Sequence, residues 1–273
     1  MTTVSVFAPA KINLALHITG QRDDGYHELD SLVAFADVGD NVFLQDAGEL
    51  AFSVTGPEAD GVPDGPENLC VAAALAFGYP AKIQLDKRLP IASGLGGGSS
   101  DAAAVLKGLG QLSGRPFQGD TAMLGADLPI CLHGGPARMR GIGEQLQSLS
   151  LPRVFAVLVN PRIESLTRKV FSVLDRKENA PMGDIPEGGS AQELCAWLRD
   201  QRNDLEEPAI RLHPEIGDVL KSLSHTDGRL CVRMSGSGAT CFALFDEPGL
   251  AKLAAKDLSS NHLNWWVRDC CLN

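Results

Sequence analysis

The stretch Leu89-Pro-Ile-Ala-Ser-Gly-Leu-Gly-Gly-Gly-Ser-Ser-Asp101 decides the fold. A short strand-like run, Ala81–Asp86, precedes it, and apolar residues at helical spacing follow it from Ser100 to about Leu112. Four glycines lie within five residues, and glycine can adopt positive φ and let a ligand approach the backbone closely. The free N–H groups and the positive dipole end of the helix favour an anion. This strand, loop and helix therefore predict a polyphosphate site.

Two better known phosphate-binding motifs do not fit the sequence. The P-loop requires a Gly-Lys pair, and the chain contains none. The dinucleotide motif G-x-G-x-x-G fails because its last position, counted from Gly94, is Ser99. A plain connecting turn is the alternative interpretation. The density of glycine directly before a strong helix start favours phosphate binding.

A second glycine-rich turn, Ser235-Gly-Ser-Gly-Ala239, lies between two apolar strand-like runs. Taken alone, it is typical of a β-hairpin turn. Together with the first loop, it is expected to close the other side of a nucleotide cleft between two domains.

The composition excludes several classes of protein. Hydrophobic residues make up 44% and charged residues 21% of the 273 residues, which excludes a disordered or fibrous chain. The net charge of −10 makes the protein a poor general partner for nucleic acid or an anionic membrane. Lys11 and Asn13 interrupt the apolar run near the N-terminus, so we expect neither a signal peptide nor a membrane span there.

The cysteine pattern predicts reduced thiols in a cytoplasmic protein. The seven cysteines form no C-x-x-C pair and their number is odd. Adjacent Cys270 and Cys271 could form a strained disulfide, but two free thiols are favoured. The six histidines show no zinc-ligand spacing, so structural zinc is not expected.

Strand-like and helix-like patterns alternate and predict an α+β protein. The expected strands are Thr3–Ala8, Ile12–Ile18, Asn41–Asp46, Ala51–Thr55, Ala81–Asp86, Val154–Asn160, Leu230–Met234, Cys241–Asp246 and Asn264–Arg268. The expected helices are Glu67–Phe77, Ser100 to about Leu112, one from near Ser165, one opened by a capping box at Ser190–Glu193, His213–Leu223 and Pro248–Leu258. A boundary within Gln145–Arg153 divides an N-terminal domain, 1–150, from a C-terminal domain, 151–273. The polar segment Glu178–Gly189 is expected to be a mobile surface loop.

Six motifs, in order along nearly the whole chain, resemble the GHMP kinases, the family of galactokinase, homoserine kinase and mevalonate kinase. Three of them are typical of the family as a whole: Ala8-Pro-Ala-Lys-Ile-Asn-Leu14, Pro90–Ala103 and Met234–Ala239. Three others accompany them: Gly20–Leu29, Gly125-Ala-Asp-Leu-Pro129 and Asn203-Asp-Leu-Glu206. The stretch between Ser100 and Asp127 is several residues shorter than usual in the family, which predicts a trimmed helix and loop there.

The resemblance implies a two-domain α+β fold. The N-terminal half would be like the second domain of ribosomal protein S5, and the C-terminal half would be ferredoxin-like. It implies ATP-dependent phosphorylation of an alcohol, which the accompanying motifs narrow to the 2-hydroxyl of a cytidine diphosphate conjugate of methylerythritol in isoprenoid biosynthesis. Mg²⁺ is expected with ATP, but the sequence does not identify its ligands. The protein is expected to be a cytoplasmic monomer or weak homodimer without a nucleic-acid or membrane partner.

The resemblance assigns the glycine-rich loop to the phosphates of ATP, which it would bind through backbone amides rather than through a lysine. The residues implied are Pro90, Ile91, Ala92, Ser93, Gly94, Leu95, Gly96, Gly97, Gly98, Ser99 and Ser100. Asn68 is implied to touch the adenine or ribose. An ordinary helix-start asparagine is the alternative interpretation of Asn68.

Phosphoryl transfer to an alcohol needs an acceptor for the hydroxyl proton and a cation near the reacting oxygen. The resemblance implies that Asp127 is the base, although the spacing alone fits a helix cap before Pro129 equally well. Lys11 lies in an apolar strand pattern, where an exposed strand lysine is the simpler interpretation. The resemblance implies that Lys11 keeps Asp127 ionised and stabilises the hydroxyl oxygen as it loses its proton.

Three further residues are assigned to the alcohol substrate. Asn13 lies two residues beyond Lys11, so its side chain points to the same face of the strand and can bind the polyol. Tyr26 and His27 are suited to stack on a pyrimidine and to hydrogen-bond its edge. On composition alone, a strand-edge pair packed on a sheet is an equal alternative. The resemblance of the Gly-Tyr-His motif implies a cytidine substrate.

Two other functions compete with this hypothesis. One is a GHMP kinase acting on homoserine or a mevalonate derivative, against which the Tyr26-His27 pair and the Asn203–Glu206 motif argue. The other is a non-catalytic nucleotide-binding or sensor protein. Lys11 and Asp127 argue against it, because ATP binding alone needs neither.

Overall fold

A computed structural model gives the fold of residues 2–121 and 124–273. These residues form two compact units that interleave along the chain. Unit 1 comprises the described residues of 1–10, 39–91 and 96–134, and unit 2 comprises Lys11–Val38, Ala92–Leu95 and Gly135–Asn273. The domain boundary near residue 150 stays a prediction.

Helices and strands alternate, and the predicted α+β class is confirmed. The strands are β1 (Thr3–Gln21), β2 (His27–Asp46), β3 (Ala51–Thr55), β4 (Ala81–Asp86), β5 (Ala137–Gly141), β6 (Gln145–Ser148), β7 (Val154–Asn160), β8 (Cys231–Met234), β9 (Cys241–Phe245) and β10 (Trp266–Leu272). The helices are α1 (Leu69–Phe77), α2 (Gly97–Ser113), α3 (Leu128–His133), α4 (Thr167–Ser172), α5 (Ala191–Arg199), α6 (Glu206–Leu212), α7 (Glu215–Leu223) and α8 (Pro248–Asn261). None of these helices is long and apolar enough to cross a membrane.

In unit 1, β4 lies between β3 and the second half of β2. It pairs in parallel with β3 and antiparallel with β2, where Asn41 is opposite Asp86. Helices α1 and α2 pack against each other. A Cβ at Gly108 of α2 would lie only 2.3 Å from Leu44 Cδ1 of β2. This glycine therefore lets α2, which carries the end of the glycine-rich loop, lie close to the sheet.

In unit 2, β10 lies between the first half of β2 and β7. Leu272 of β10 pairs antiparallel with Ala36 of β2 and with Val154 of β7. Strand β7 also pairs with β9, and β9 with β8, both antiparallel. Residues Leu29–Val33 of β2 pair with β5, which pairs with β6.

The helices of unit 2 bury one face of this sheet. Val219 of α7 and Ala254 of α8 belong to one apolar cluster with Val157 of β7 and Phe245 of β9. This cluster supports β8 and β9, the two strands that flank the second glycine-rich turn.

Many predicted elements match the observed ones because their end signals are local. Strands β3, β4 and β7 have the predicted bounds. Helix α1 begins after Asn68 and ends at Gly78, which has a φ of 68°. The capping box at Ser190 is present, with Ser190 and Glu193 bonded reciprocally. All seven cysteines are buried thiols.

The first two strands are longer than predicted. The prediction ends a strand before Pro9, but β1 continues through it. Strand β1 pairs with β2, and proline is tolerated in a strand where its missing N–H is not needed for the ladder. Strand β2 begins at His27 instead of Asn41. Elements α3, α6, β5 and β6 are not predicted. Helices α3 and α6 have only six and seven residues, which is too short for a helical periodicity to show.

The segment Glu178–Gly189 forms no helix or strand, but part of it is anchored. Met182 is buried, and its N–H donates to Asp30 Oδ2 at 2.9 Å. Arg138 forms an ion pair with Asp30 at 2.6 Å and donates to the Met182 carbonyl oxygen at 2.7 Å. Residues around Met182 are therefore not the free surface loop that the sequence predicts.

Candidate active site

The glycine-rich loop turns sharply before α2 begins. Gly94 and Gly96 have φ values of 76° and 63°, in the left-handed region that favours glycine. A Cβ at Gly94 would lie 2.4 Å from the Ser235 carbonyl oxygen, so no side chain fits there. Helix α2 then begins at Gly97, and the first N–H groups of a helix lack partners within it. The loop has the strand–turn–helix form that the sequence predicts for an anion site.

The first turn of α2 lies beside two other stretches of unit 1 that are assigned to the site. A Cβ at Gly98 would lie 3.7 Å from Leu69 Cδ1, at the start of α1. A Cβ at Gly125 would lie 3.6 Å from Ser99 Oγ. Unit 1 therefore brings the loop exit, the start of α1 and the segment before Asp127 together. Ala122 and Met123, in the shortened stretch before Asp127, lie outside the described residues.

Asn68 is the N-cap of α1. Its Oδ1 accepts a hydrogen bond from the Cys70 N–H at 2.8 Å, and its Nδ2 donates to the Pro63 carbonyl oxygen at 2.6 Å. The helix-start interpretation therefore describes these contacts. The amide group carries a second hydrogen, and the contact with ATP stays a prediction.

A buried ionic cluster, which no sequence pattern predicts, lies behind the loop. Lys87 Nζ lies 2.6 Å from Asp40 Oδ2 and 2.8 Å from Asp101 Oδ2. We call these three residues the Lys87 cluster; each side chain is at most 4% exposed. Burial works against the charge of Lys87, but Asp101 and Asp40 together raise its pKa above the ordinary value. Burial raises the pKa of Asp101 to about 7, although Lys87 lowers it.

Gly97 faces this cluster. A Cβ at Gly97 would lie 3.0 Å from Lys87 Nζ and 3.8 Å from Asp40 Oδ2. A side chain at this position would therefore disturb the Lys87 cluster. Gly98 is the exposed glycine of the same turn, so it is the better position at which to test contact with phosphate.

Asp127 directly precedes α3 in unit 1 and is half-buried. Within the described residues, its side chain does not cap α3. Asp127 therefore takes the N-cap position that its sequence context predicts, but it does so without a side-chain capping hydrogen bond. Its role as the base stays a prediction.

In unit 2, β1 carries Lys11 and Asn13 into the interior. Lys11 is 4% exposed and Asn13 is 1% exposed, so the interpretation of Lys11 as an exposed strand lysine is wrong. The Lys11 N–H donates to the Leu95 carbonyl oxygen at 2.8 Å, which joins β1 to the glycine-rich loop. Lys11 belongs to unit 2 and Asp127 to unit 1, and their pairing stays a prediction.

Ser235 connects the second glycine-rich turn to β1 and to the first loop. Its Oγ accepts a hydrogen bond from the Asn13 N–H at 3.1 Å and donates to the Gly94 carbonyl oxygen at 2.9 Å. The Thr240 N–H donates to the Ser93 carbonyl oxygen at 3.0 Å. Residues 93–94 of the first loop are therefore fixed against the second turn.

The Asn13 side chain holds an acceptor with no partner among the described residues. Its Nδ2 donates to Ser31 Oγ at 2.8 Å, while its Oδ1 is buried and unpaired. A Cβ at Gly236 would lie 3.3 Å from this Oδ1. An unpaired buried acceptor costs about 1–3 kcal/mol, so a ligand hydroxyl that donates to it would be favoured.

The Asn203–Glu206 motif braces the strand that enters the second turn. Asn203 Nδ2 donates to the Met234 and Gly236 carbonyl oxygens at 2.9 and 2.8 Å. Glu206 Oε2 accepts a hydrogen bond from the Met234 N–H at 2.8 Å. The sequence does not show this bracing role, because the partners of the motif lie about 30 residues further along the chain.

Tyr26 and His27 differ in exposure. Tyr26 is 60% exposed. The His27 ring stacks on Phe171 with centroids 4.7 Å apart, and its buried Nε2 has no partner within the described residues. Burial, followed by the charge of Lys177, lowers the pKa of His27. A neutral, stacked imidazole with an unpaired nitrogen offers a hydrogen-bonding group for the edge of a heterocycle. Phe171 is not predicted as a site residue, since no local sequence pattern marks it.

Comparisons with known proteins decide the family. The GHMP kinases N terminal domain matches residues 68–139, and GHMP kinases C terminal matches residues 178–264. A 4-diphosphocytidyl-2-C-methyl-D-erythritol kinase of Dinoroseobacter shibae is 51% identical over 267 residues, which cover 97% of this chain and 93% of the relative. The chain belongs to the GHMP kinase family. A relative with the same name from Ruegeria pomeroyi is 52% identical over 271 residues, covering 96% of this chain and 97% of the relative.

Solved structures agree with this family assignment. A crystal structure of 4-(cytidine 5'-diphospho)-2C-methyl-D-erythritol kinase matches this GHMP kinase with a TM-score of 0.78 and 36% identity, covering 99% of each chain. Homoserine kinase from Cytophaga hutchinsonii shares the fold, with a TM-score of 0.68 at 20% identity, over 100% of this chain and 95% of that one. The predicted GHMP kinase fold is therefore confirmed. Like its family, this kinase uses ATP and acts on a small molecule.

Proposed function

We propose that the chain transfers the γ-phosphate of ATP to the 2-hydroxyl of 4-diphosphocytidyl-2-C-methyl-D-erythritol, giving the 2-phosphate and ADP, in the non-mevalonate pathway of isoprenoid precursors. The observation in the structure that carries the choice of substrate is the unpaired Nε2 of His27, held in a ring stacked on Phe171. The names of relatives that are about half identical over nearly the whole chain support it.

The cytidine base is proposed to bind at Tyr26 and His27. A neutral His27 can exchange a hydrogen bond with the cytosine edge through Nε2, and exposed Tyr26 offers its ring for stacking. Stacking of an aromatic ring on a base contributes about 1–3 kcal/mol. Since the base is remote from the reacting hydroxyl, this binding energy serves specificity and orientation.

The phosphates of ATP are proposed to bind at the first turn of α2. Support comes from the left-handed glycines 94 and 96, from the exposed Gly98 and from the unpartnered N–H groups that begin a helix. Residues Pro90 to Ser100 form this site, with Asn68 beside it at the start of α1. The site needs no lysine in contact with the phosphates, because backbone N–H groups and the helix dipole supply the positive potential.

Lys11 and Asp127 are proposed to carry the chemistry. Asp127 accepts the proton of the 2-hydroxyl, and Lys11 stabilises the oxygen that develops negative charge as it attacks the γ-phosphorus. Burial of Lys11 supports this role, because a buried ammonium requires an anionic partner. Asn13 is proposed to accept a hydrogen bond from the polyol through its unpaired Oδ1.

Mg²⁺ is proposed to arrive with ATP. Among the described residues, no three His, Cys, Asp or Glu side chains gather into a metal cage. The ion would therefore take most of its ligands from phosphate oxygens and water, as Mg²⁺ commonly does with nucleotides.

Three further properties are part of this proposal. The cosubstrate ATP is a cytoplasmic metabolite, which supports a cytoplasmic location of this kinase. The proposed domains are residues 1–150 and 151–273. This division is supported by the two family matches, because the N-terminal match ends at residue 139 and the C-terminal match begins at residue 178. A monomer or weak homodimer is the expected assembly.

A panel of alcohols tests the proposed function. We expect ATP consumption with the cytidine diphosphate conjugate of methylerythritol, and none above background with homoserine or mevalonate. ³¹P NMR of the product should show a new phosphate monoester on the branched polyol. The Asp127→Asn protein, purified in the same way, controls for contaminating kinases. Turnover of homoserine or mevalonate alone would contradict the proposal, and ATP binding without turnover of any alcohol would favour a sensor protein.

A further inference from the structure

The Lys87 cluster joins the two ends of the glycine-rich loop. Lys87 lies one residue beyond β4, where the chain enters the loop, and Asp101 lies in α2, where it leaves. The Lys87 ammonium bonds to Asp101 at 2.8 Å. Asp40 Oδ1 accepts hydrogen bonds from the N–H groups of Arg88 and Leu89 at 2.5 and 2.8 Å. The two ends of the loop are thereby tied to each other and to β2.

Burying three ionisable side chains costs free energy of folding, which indicates that the Lys87 cluster has a role other than packing. Two carboxylates and one ammonium are almost fully buried, and Asp101 Oδ1 has no partner among the described residues. Well-packed apolar residues often replace such buried ion pairs without loss of stability. A charge-assisted hydrogen bond also fixes geometry more strictly than an apolar contact. The loop is rich in glycine and gains little rigidity of its own, since glycine allows many backbone conformations.

We propose that the Lys87 cluster is a positioning device for the phosphate loop, with Lys87 as a positioning residue that acts on ATP through the loop. Its ammonium lies behind Gly97 and holds the first turn of α2 at a fixed distance from the end of β4. The N–H groups that meet the phosphates then point in one direction before ATP arrives. This inference rests on the proposed use of the loop for ATP.

Matched variants of Asp101 and Lys87 separate positioning from stability. Asp101→Asn keeps the shape and leaves an oxygen that can accept from Lys87. Asp101→Leu has a comparable volume but no acceptor. Lys87→Met leaves two buried carboxylates without a cation and is expected to fold poorly. The double variant Lys87→Met/Asp101→Asn removes one carboxylate as well. The remaining carboxylate, on Asp40, still accepts hydrogen bonds from the N–H groups of Arg88 and Leu89, so we expect this variant to fold while lacking the tie.

The measurements are the Kd of ATP alone and the Kd of the alcohol substrate alone, by calorimetry, with circular dichroism to establish folding. We expect the ATP Kd to rise at least tenfold in Asp101→Leu and in the double variant, and by a smaller factor in Asp101→Asn. The Kd of the alcohol should change less than twofold. Asp86→Asn is the control: it also removes one carboxylate, next to Lys87 in the sequence, but Asp86 pairs with Arg88 and is not part of the Lys87 cluster. It should leave both dissociation constants unchanged.

If the Lys87 cluster had only a structural role, its variants would have a lower melting temperature, but the Kd of ATP would not change more than the Kd of the alcohol. If the folded double variant and Asp101→Asn both bind ATP within twofold of wild type, the positioning role is wrong. Equal weakening of both ligands would also overturn it. A wild-type protein that binds no ATP would instead refute the proposed function, so the two failures are distinguishable.

Discussion

The side-chain amide of Asn203 donates a hydrogen bond to the carbonyl oxygen of Gly236 at 2.8 Å. The same amide also donates to the Met234 carbonyl oxygen. One side chain therefore binds the residue before Ser235 and the residue after it. Ser235 in turn bonds to the backbone of Asn13 and Gly94. The unpaired Asn13 acceptor and the first loop therefore depend on a residue about 30 positions earlier in the chain than the turn.

Replacing Asn203 with Asp tests this brace. The substitution keeps the shape of the side chain. It replaces the amide nitrogen, which donates to two carbonyl oxygens, with a carboxylate oxygen, which can only accept. We expect kcat/KM for the alcohol to fall by about ten- to a hundredfold, since leaving buried groups unsatisfied costs roughly 1–3 kcal/mol. Steady-state kinetics on the folded protein measure this. Asn261→Asp, at the exposed end of α8, is the control and should change kcat/KM less than twofold. Unchanged kinetics in Asn203→Asp would show that the turn holds without the brace.

Gly98→Ala should separate stability from ATP binding. Gly98 lies in the first turn of α2 with only Leu69 near its missing Cβ, at an ordinary distance of 3.7 Å. The fold tolerates a methyl group there, and Gly→Ala at a compatible site stabilises by about 0.4–1 kcal/mol. We expect a higher melting temperature together with an ATP Kd at least tenfold weaker, because the methyl group meets the phosphates.

The control for this experiment is Gly217→Ala in α7, where the Cβ would lie 3.6 Å from Ile210 Cγ2. It should raise the melting temperature and leave ATP binding unchanged. Unchanged ATP affinity in Gly98→Ala would remove the first turn of α2 from the phosphate site.

Asp127 and Lys11 should affect the chemical step. Asp127→Asn removes the proton acceptor, and a loss of roughly 10²–10⁴ in kcat is the usual scale for a general base. Lys11→Met should be similarly damaging, and the double variant should lose little more than either single one, because the two residues act as a unit. Single-turnover kinetics with saturating substrates measure the step. Asp257→Asn on the exposed face of α8 is the control. Near wild-type turnover in Asp127→Asn would exclude it as the base.

Tyr26 and His27 should affect the cytidine end of the substrate and not ATP. Tyr26→Ala is expected to raise KM for the cytidine conjugate by about ten- to a hundredfold, at 1.4 kcal/mol per decade. His27→Ala should reduce the discrimination between the cytidine conjugate and its uridine analogue, since the two bases differ at the edge that Nε2 can reach. KM series for both conjugates, with ATP affinity in parallel, check this. A Tyr26→Ala protein that loses ATP but keeps the cytidine conjugate would reverse the two pockets.

Asp101 should give wild-type stability a pH dependence that Asp101→Asn lacks. Its pKa in the folded protein is about 7, raised from 3.8 first by burial. Because the folded state holds this proton more tightly than the unfolded state, the stabilisation is complete below the unfolded pKa and is lost as the pH rises toward about 7. We expect the free energy of unfolding of wild type to fall relative to Asp101→Asn between about pH 4 and 7. Urea unfolding across this range measures the difference, and parallel curves would show that Asp101 stays ionised throughout.

Local chemistry made much of the site predictable. The glycine-rich loop, the capping box at Ser190 and the ends of α1 depend on residues within a few positions of one another, so their patterns are visible in the sequence. Lys87 meets Asp40 and Asp101 across separations of 47 and 14 residues, and no local pattern reports such contacts. Phe171 could not be found for the same reason.

The side to which each glycine of the loop faces could not be predicted from the sequence either. The sequence shows that Gly97 and Gly98 open a helix, but only the packing shows that the first faces Lys87 and the second faces outward. Strand β2 illustrates a different limit. Residues from Leu32 to Ala36 are all buried, and such a run lacks the alternation that marks a strand with one face exposed.

The position of β10 has a consequence for how the protein is made. It fits between β2 and β7, and its neighbour Asn273 exchanges two backbone hydrogen bonds with Phe35. Since β10 follows all the other strands along the chain, a ribosome has already released β2 and β7 before the strand that joins them exists. Until then both strands present open edges, which readily pair with other chains. A nascent chain arrested before Trp266 should therefore aggregate or recruit chaperones.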